Sequence, residues 1–452
     1  MKQKSAKIPF LYRIFKCYLR FLHDKLFYRK TYKINAENIP SNTTPTIIVS
    51  NHQNCLNDPL GVLFTFRDRK PNFITRADVF ALHPIANKFL RSIGLLPAFR
   101  LDFEGEAALQ NNEDTFNITK QAILEGGTVM MYPEAGHQTK RWLGFFSTAY
   151  IRMAFEAAQK SNFQTEIFIL PSCNHYSNYF GIQNDFMVKF GTPISLKPYY
   201  ELYQTKPRTV TRQINALVRA QIEGLMLNIT DLDNYDAIDF IRENFRQDYA
   251  AQKGMPCGDL PEQLLVDKAL VADLDKAKQS NPEAIAALYQ KALQLKEQVK
   301  KAHTRTELLH KEATWGKNLL AMLGSILLFP FWINSLWPNL FMWLIGKSFT
   351  FRKEDPMWEG TFMFAINALF IIPIFYLTTI ILAAIYAPWW VPVLWVLLAP
   401  LYTLLAWYYV QWNKRLFQNI VALFHKKGAN WAKLKATYNE IKDSLNTLLW
   451  KE

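Results

Sequence analysis

Residues 361–413 run for 53 positions without a charged side chain, and residues 318–346 do so for 29. About 20 consecutive apolar residues let a helix cross the hydrocarbon core of a bilayer. Inside lipid each backbone N–H and C=O must be satisfied within the segment, so helices are expected there. The longer stretch accommodates two spans, near 361–386 and 390–411, with Pro388 and Pro392 close to the turn. The shorter one is interrupted by Pro330 and Pro338 and carries Asn334 and Asn339 near its middle. It suits either one tilted span or a re-entrant pair of half-helices. Lys347, Arg352 and Lys353 follow it, and Lys414 and Arg415 follow the last span. Both basic segments read as cytoplasmic by the positive-inside rule. With the N-terminal domain on that face too, a re-entrant or interfacial hairpin is favoured over 318–346.

The net charge of +14 sits at the two ends, +9 over residues 1–35 and +5 over residues 413–452, which leaves the middle neutral. A nucleic-acid binder usually carries its basic patch within a folded domain. Here the basic ends adjoin apolar sequence, which points to an anionic lipid surface and away from nucleic acid. Leu11, Ile14, Phe15, Tyr18, Leu22 and Leu26 recur at helical spacing, with Arg13, Lys16 and Arg20 on the other side. A basic amphipathic helix of this kind suits a membrane interface, the plainer alternative being a helix packed on the next domain with a solvated basic face. The same basic residues break the first apolar run before a secretory h-region forms. Cys17, Cys55, Cys173 and Cys257 lack zinc or CxxC spacing, so reduced thiols are expected.

Residues 31–200 alternate short β-rich runs with helical patterns. Buried strands are expected at 46–50, 128–132, 166–170 and 187–190, with helices at 105–125 and 145–160 between them. This rhythm indicates an α/β domain with a largely parallel or mixed sheet. Charged helices are expected at 208–227, 235–252, 260–275 and 281–312, with a break at Pro256 and Gly258 before a helical hairpin. The tail 414–450 reads as an amphipathic helix on the cytoplasmic surface.

Four strand-end elements can carry chemistry. Asn51-His52 follows the first strand, and Asp58-Pro59 comes six residues after the histidine. A carboxylate beside an imidazole holds one tautomer and stabilises the imidazolium that forms when it takes a proton. On a regular helix, positions i and i+6 lie about 240° apart, so the two meet only if residues 53–57 form a turn. Alone, the pattern reads more simply as a capping aspartate beside an unrelated histidine. Tyr132-Pro133-Glu134-Ala135-Gly136-His137 is the second element, a turn whose backbone N–H groups can hold an anion or hydroxyl while Glu134 accepts from a polyol. The third, Gly94 to Arg100, presents a guanidinium suited to phosphate. The fourth is Leu170-Pro171-Ser172-Cys173-Asn174. His137 and His175 read as turn and surface-loop histidines. No GxSxG occurs, which disfavours a soluble α/β hydrolase.

In this order the four elements resemble the motifs of the glycerolipid acyltransferase family, best known through the 1-acylglycerol-3-phosphate acyltransferases. Asn38-Ile-Pro40 and Ile47 to Gln53 look similar as well. The resemblance covers about residues 30–200. It implies that His52 and Asp58 are the catalytic pair, that Arg100, Glu134 and the Gly136 turn bind the glycerophosphate acceptor, and that Pro171 belongs to the fourth motif. This sequence departs from the family in two places. Five residues separate His52 from Asp58 where four are usual, and Ala135 stands where a glycine is usual.

The resemblance implies a domain of glycerolipid-acyltransferase type with a mixed sheet, and the charge and hydropathy pattern adds a helical hairpin and C-terminal transmembrane helices after it. The expected division is an interface helix at 1–32, an acyltransferase domain at 33–258, a charged hairpin at 259–312, a membrane region at 313–413 and an amphipathic cytoplasmic tail at 414–452. The expected reaction moves an acyl group from a thioester, acyl-CoA or acyl carrier protein, to a glycerolipid hydroxyl in phospholipid synthesis. No metal or other cofactor is implied. The favoured acceptor is 1-acylglycerol 3-phosphate, with glycerol 3-phosphate or another lipid hydroxyl, such as that of an aminolipid, as rivals. An inactive membrane scaffold on the same fold is the alternative outside the enzymes. Membrane lipids and the acyl donor are the expected partners, at a multi-pass membrane with the catalytic domain on its cytoplasmic face.

Overall fold

The computed structural model describes residues 8–77, 80, 84–98, 107–134, 136, 140–311, 313–352 and 358–449. The chain divides into two compact units, Met1–Asn228 with Phe349–Ala365, and Ile229–Ser348 with Ile366–Glu452. In the first unit, α1 (Phe10–Phe21) passes through a π-helical turn (Leu22–Phe27) into β1 (Tyr28–Ile34). There follow β2 (Thr46–Ser50), α2 (Asn57–Leu63), β3 (Asn72–Arg76), α3 (Pro84–Ser92), β4 (Leu95–Ala98), α4 (Ala107–Leu124) and β5 (Thr128–Met131). Then come α5 (Ala149–Lys160), β6 (Phe168–Tyr176), β7 (Asn184–Phe190), β8 (Ile194–Ser195), α6 (Tyr200–Thr205) and α7 (Pro207–Leu225).

The strands form one mixed sheet in the order β1-β7-β6-β2-β5-β3-β4, with β8 beside β6. β2 runs parallel to both β5 and β6, whereas β7 and β8 are antiparallel to β6. A strand enclosed on both faces needs continuous apolar sequence. In β2, Ile47, Ile48 and Val49 are fully buried. Ile47, Val49, Val129 and Ile169 share one core with α5 and with Val210, Ile214, Val218 and Ile222, the four-residue stripe of α7.

Two features of this unit differ from the sequence reading. The strand expected at 166–170 starts at Phe168 and runs through Pro171 to Tyr176, so His175 and Tyr176 are buried in the sheet instead of lying in a surface loop. Proline offers no N–H to a ladder. Pro171 falls between the segment of β6 paired with β8 and the segment paired with β7, and its carbonyl accepts from Gly191 N at 2.8 Å. The second difference is the orientation of α1. Its inward face is Tyr12, Lys16 and Leu19, while Phe10 and Leu11 are 75% and 77% exposed. Lys16 leaves the expected basic face because its ammonium binds the carbonyls of Phe66 (2.7 Å) and Arg69 (3.2 Å), which end the loop after α2. Burial lowers its pKa to about 8.

The first unit closes at Asn228, thirty residues before the expected boundary at 258. In the second unit α8 (Tyr235–Lys253) packs with α9 (Leu260–Ser280) and α10 (Pro282–Lys301). Arg242 is buried, and its guanidinium reaches Asp239, Glu243 and Asp267, while Arg246 binds Asp267 from the same helix. Burial opposes the Arg242 charge, and Asp267, Asp239 and Glu243 outweigh it, holding the group protonated. Removing one partner of a buried pair leaves an uncompensated charge. Asp267→Ala is therefore expected to cost about 3 kcal/mol, read as a roughly 100-fold loss of hydrogen-exchange protection in α8 and α9. Unchanged protection contradicts this assignment.

α11 (Trp315–Arg352) is one continuous helix through Pro330 and Pro338, not the expected pair of half-helices. Interior prolines are tolerated in membrane helices where polar side chains engage the backbone locally, and here Asn339 donates to the Ser335 carbonyl at 2.8 Å. α12 (Trp358–Thr361) continues through a π-helical stretch into α13 (Ile372–Tyr386), followed by α14 (Trp390–His425) and α15 (Ala429–Leu449). Among the described residues, Trp315–Leu336, Glu359–Tyr386 and Trp390–His425 are long and apolar enough to cross a membrane. The expected surface helix of the tail instead buries its apolar face. Leu434, Tyr438, Ile441 and Leu445 recur every three or four residues and are enclosed, and α15 packs on α10 with Lys442 bonded to Asp248 of α8.

Candidate active site

Parallel pairing sets the position of the site. Val49 lies opposite Met131, so β2 and β5 end at the same edge of the sheet and release the 51–58 and 132–134 segments side by side. The carboxyl ends of parallel strands are where such sheets collect ligands. Asn51 secures the edge, since its amide donates to Asn174 O at 3.0 Å and its carbonyl accepts from Asn174 N at 2.7 Å.

Residues 53–57 form the turn that the sequence geometry required, with Cys55 in the left-handed region at φ 42°. The turn returns Asp58, in the first turn of α2, to His52, whose Nδ1 lies 2.7 Å from Asp58 Oδ2. The same oxygen accepts from Gln53 N and Asn54 N, both at 2.8 Å. Asp58 Oδ1 accepts from the Tyr176 hydroxyl at 2.6 Å. The carboxylate is fully buried and receives four hydrogen bonds, the arrangement that makes a buried anion tolerable. An ionised carboxylate only accepts, so Nδ1 is the ring atom that donates to Asp58. The His52 side chain keeps 19% of its surface exposed, and its ring stacks on Tyr132 with centroids 4.3 Å apart. Burial, reinforced by the Asp58 charge, pushes the Tyr176 phenol well above its usual range, so it remains a donor.

Glu134 reaches the pair from the neighbouring strand end. Its Oε1 accepts from the His52 backbone N–H at 2.7 Å, and its Oε2 accepts from Gly144 N at 3.0 Å. The carboxylate thus ties the histidine backbone to the loop after β5. Gly136 is exposed, and among the described residues a Cβ there would meet nothing within 4 Å. Pro171 is buried within the sheet opposite Val49. Arg100, Ala135 and His137 lie outside the described residues. The structure therefore brings His52, Asp58 and Glu134 together. Tyr176, Tyr132 and the Asn51–Asn174 clamp went unread in the sequence, although once β6 is seen to pass Pro171 the alternation along it places Tyr176 in the sheet. Among the described residues, no three His, Cys, Asp or Glu side chains gather to hold a metal ion.

Residues 30–174 match the family described as Acyltransferase, a range that includes both strand ends and the histidine–aspartate contact. That stretch of the first unit is thus similar to acyltransferase domains. A curated relative, a chloroplastic 1-acyl-sn-glycerol-3-phosphate acyltransferase of Arabidopsis thaliana, is 30% identical over 133 residues, 29% of this chain and 33% of its own length. The chain thus spans about a third of the curated relative it matches. Among solved structures, the 1-acyl-sn-glycerophosphate acyltransferase of Thermotoga maritima is similar at a TM-score of 0.36 and 15% identity, covering 48% of this chain and 79% of that one. Within the matched stretch, the five-residue spacing between His52 and Asp58 leaves their contact intact.

Proposed function

We propose that this chain is a membrane-bound O-acyltransferase that moves a fatty acyl group from an acyl thioester to a glycerolipid hydroxyl, with 1-acylglycerol 3-phosphate as the preferred acceptor. The observation that carries the proposal is the 2.7 Å contact of His52 Nδ1 with a buried, four-coordinated Asp58 inside the acyltransferase domain, on a partly exposed ring. The choice of acceptor rests on the activity for which the chloroplastic relative is named.

An alcohol is a poor nucleophile near neutral pH because almost none of it is ionised. His52 Nε2 takes the hydroxyl proton as the oxygen forms its bond to the thioester carbonyl carbon. The imidazolium is stabilised by Asp58 across Nδ1. When the tetrahedral intermediate collapses, the C–S bond breaks and the departing sulfur takes the proton from Nε2, which restores the neutral ring. The products are an ester and a free thiol, either CoA or the carrier-protein thiol. Asp58, Tyr176 and Glu134 act through His52 as positioning residues, and Arg100 with the Gly136 turn is assigned to the acceptor headgroup.

Residues 349–365, which include the basic Arg352, belong to the compact unit that holds the site. The positive-inside bias of that segment therefore supports a cytoplasmic site. The exposed Phe10 and Leu11 of α1 suit contact with the lipid interface, where acceptor and product reside.

The test offers membranes containing the protein a labelled acyl thioester, with lysophosphatidate, glycerol 3-phosphate and a hydroxylated aminolipid as separate acceptors. Transfer to lysophosphatidate above the other two is expected. Preference for another acceptor overturns the acceptor assignment, and transfer to none favours the scaffold reading. A smaller effect is expected for Tyr176→Phe, which removes one donor from the buried Asp58 carboxylate. Hydrogen bonds to charged groups contribute about 1.5–3 kcal/mol, so initial rates should fall roughly tenfold or more. A rate equal to wild type would show that Tyr176 is dispensable.

A further inference from the structure

The turn between His52 and Asp58 is held by a piece of the chain some 300 residues away. Leu56 N, the amide after left-handed Cys55, donates to the Thr361 hydroxyl at 3.0 Å. Thr361 is buried, and Gly360 beside it lies so close to the turn that a Cβ would come within 2.8 Å of Asn54 Oδ1 and 2.9 Å of Asn57 Nδ2. Those two side chains are buried and bonded to each other at 3.3 Å, and Asn54 also donates to Tyr179 O, so neither yields without cost. The segment is seated by Met363 and Phe364, both buried, with the Phe364 ring edge-on to His23 and Phe27 at 5.4 Å. All of these residues belong to the first compact unit.

Five residues must close a turn that places Asp58 on His52, and one of them adopts a backbone conformation that side-chain-bearing residues rarely take. Asp58 Oδ2 satisfies the amides of Gln53 and Asn54. Leu56 N is satisfied from Thr361. Leu56 is half-buried, and leaving its amide without a partner costs free energy, so loss of that hydroxyl favours rearrangement of the turn.

We propose that Gly360 and Thr361 form a positioning element for the His52–Asp58 pair. The segment that opens the second candidate membrane helix thereby completes the five-residue turn, Thr361 by accepting from Leu56 N and Gly360 by admitting Asn54 and Asn57. The consequence for catalysis rests on the proposed acyl transfer, whereas the geometric claim does not. Small misplacements of a reacting group far from the chemistry lower rates steeply.

Thr361→Val keeps the shape and removes the hydroxyl, and Thr361→Ser restores it. In the full-length protein, Thr361→Val is expected to lower kcat about tenfold with KM for the acyl thioester unchanged, and Thr361→Ser to recover most of that loss. Gly360→Ala, which leaves the hydroxyl in place, is expected to lower kcat in the same way. A second readout needs no turnover: the rate of His52 carbethoxylation by diethyl pyrocarbonate, followed by peptide mass spectrometry. It should differ from wild type in Thr361→Val and return in Thr361→Ser. Thr361→Val behaving as wild type in both readouts overturns the proposal, as does equal impairment of the Val and Ser variants. If Thr361→Val does not fold, wild-type kinetics and carbethoxylation in Gly360→Ala overturn it. Should the wild type transfer no acyl group, the acyl-transfer reading fails, and the modification rates still decide the positioning claim.

Discussion

Replacing His52 with alanine is expected to lower acyl transfer by about 10²–10⁴-fold, the range of a positioned general base. The argument is geometric. Asp58 holds Nδ1, so the proposed mechanism assigns the hydroxyl proton to Nε2, and the ring is partly exposed. The imidazole contributes stacking on Tyr132 and the contact with Asp58, whereas the bond from its backbone N–H to Glu134 survives the substitution. The fall should therefore appear in kcat, with little change in KM for the thioester. Initial rates over a range of thioester concentration, with lysophosphatidate saturating, read this directly. A variant that retains the wild-type kcat removes His52 from the mechanism.

Asp58→Asn should have the second largest effect, and it separates charge from architecture. At Oδ2 the carboxylate accepts from His52 Nδ1 and two backbone amides, and at Oδ1 it accepts from Tyr176. An amide keeps three of the four bonds in one orientation, with its oxygen toward the three N–H donors, while its nitrogen then donates to the phenol oxygen and the Tyr176 hydrogen loses its acceptor. The turn and the Nδ1–H tautomer then persist. What is lost is the negative charge beside the imidazolium formed during transfer. A roughly 10²–10³-fold fall in kcat is expected, less than when an orienting carboxylate is lost together with the tautomer. The check combines steady-state rates with amide hydrogen exchange across residues 51–60. Slow transfer with native protection supports an electrostatic role, and native rates contradict it. Collapse of protection assigns the loss to folding of the turn.

How far the chain can be read in advance follows from how each element earns its place. β2 is legible because Ile47, Ile48 and Val49 are enclosed on both faces, and α7 because Val210, Ile214, Val218 and Ile222 keep a strict helical interval. β1 hides because Tyr28–Ile34 carries Arg29, Lys30 and Lys33 and lies at the end of the sheet order, where side chains meet solvent and composition loses its signal. β3 and β4 are short and lack clean alternation. The His52–Asp58 contact was legible as a requirement for a turn, because a continuous helix cannot join positions six apart. Tyr176 was not, since Pro171 suggests an ending where the sheet in fact exchanges one antiparallel partner for another. Glu134 was legible as a motif glutamate, whereas the backbone amides of His52 and Gly144 that its oxygens hold were not. Lys16 was misplaced for a related reason. Helical spacing separates apolar from basic side chains without saying which set faces the protein, and two loop carbonyls decided it. Thr361 lies beyond any local pattern, because sequence distance says nothing about which hydroxyl meets Leu56 N.

The most direct measurement is the stoichiometry of thiol release against ester formation by the purified full-length protein in lipid nanodiscs, supplied with acyl-CoA and lysophosphatidate. One free thiol per acylated lipid is predicted, with no release when lysophosphatidate is omitted and loss of both products in His52→Ala. Thiol release independent of the acceptor, or ester formation undiminished in His52→Ala, would contradict a histidine-activated hydroxyl as the nucleophile.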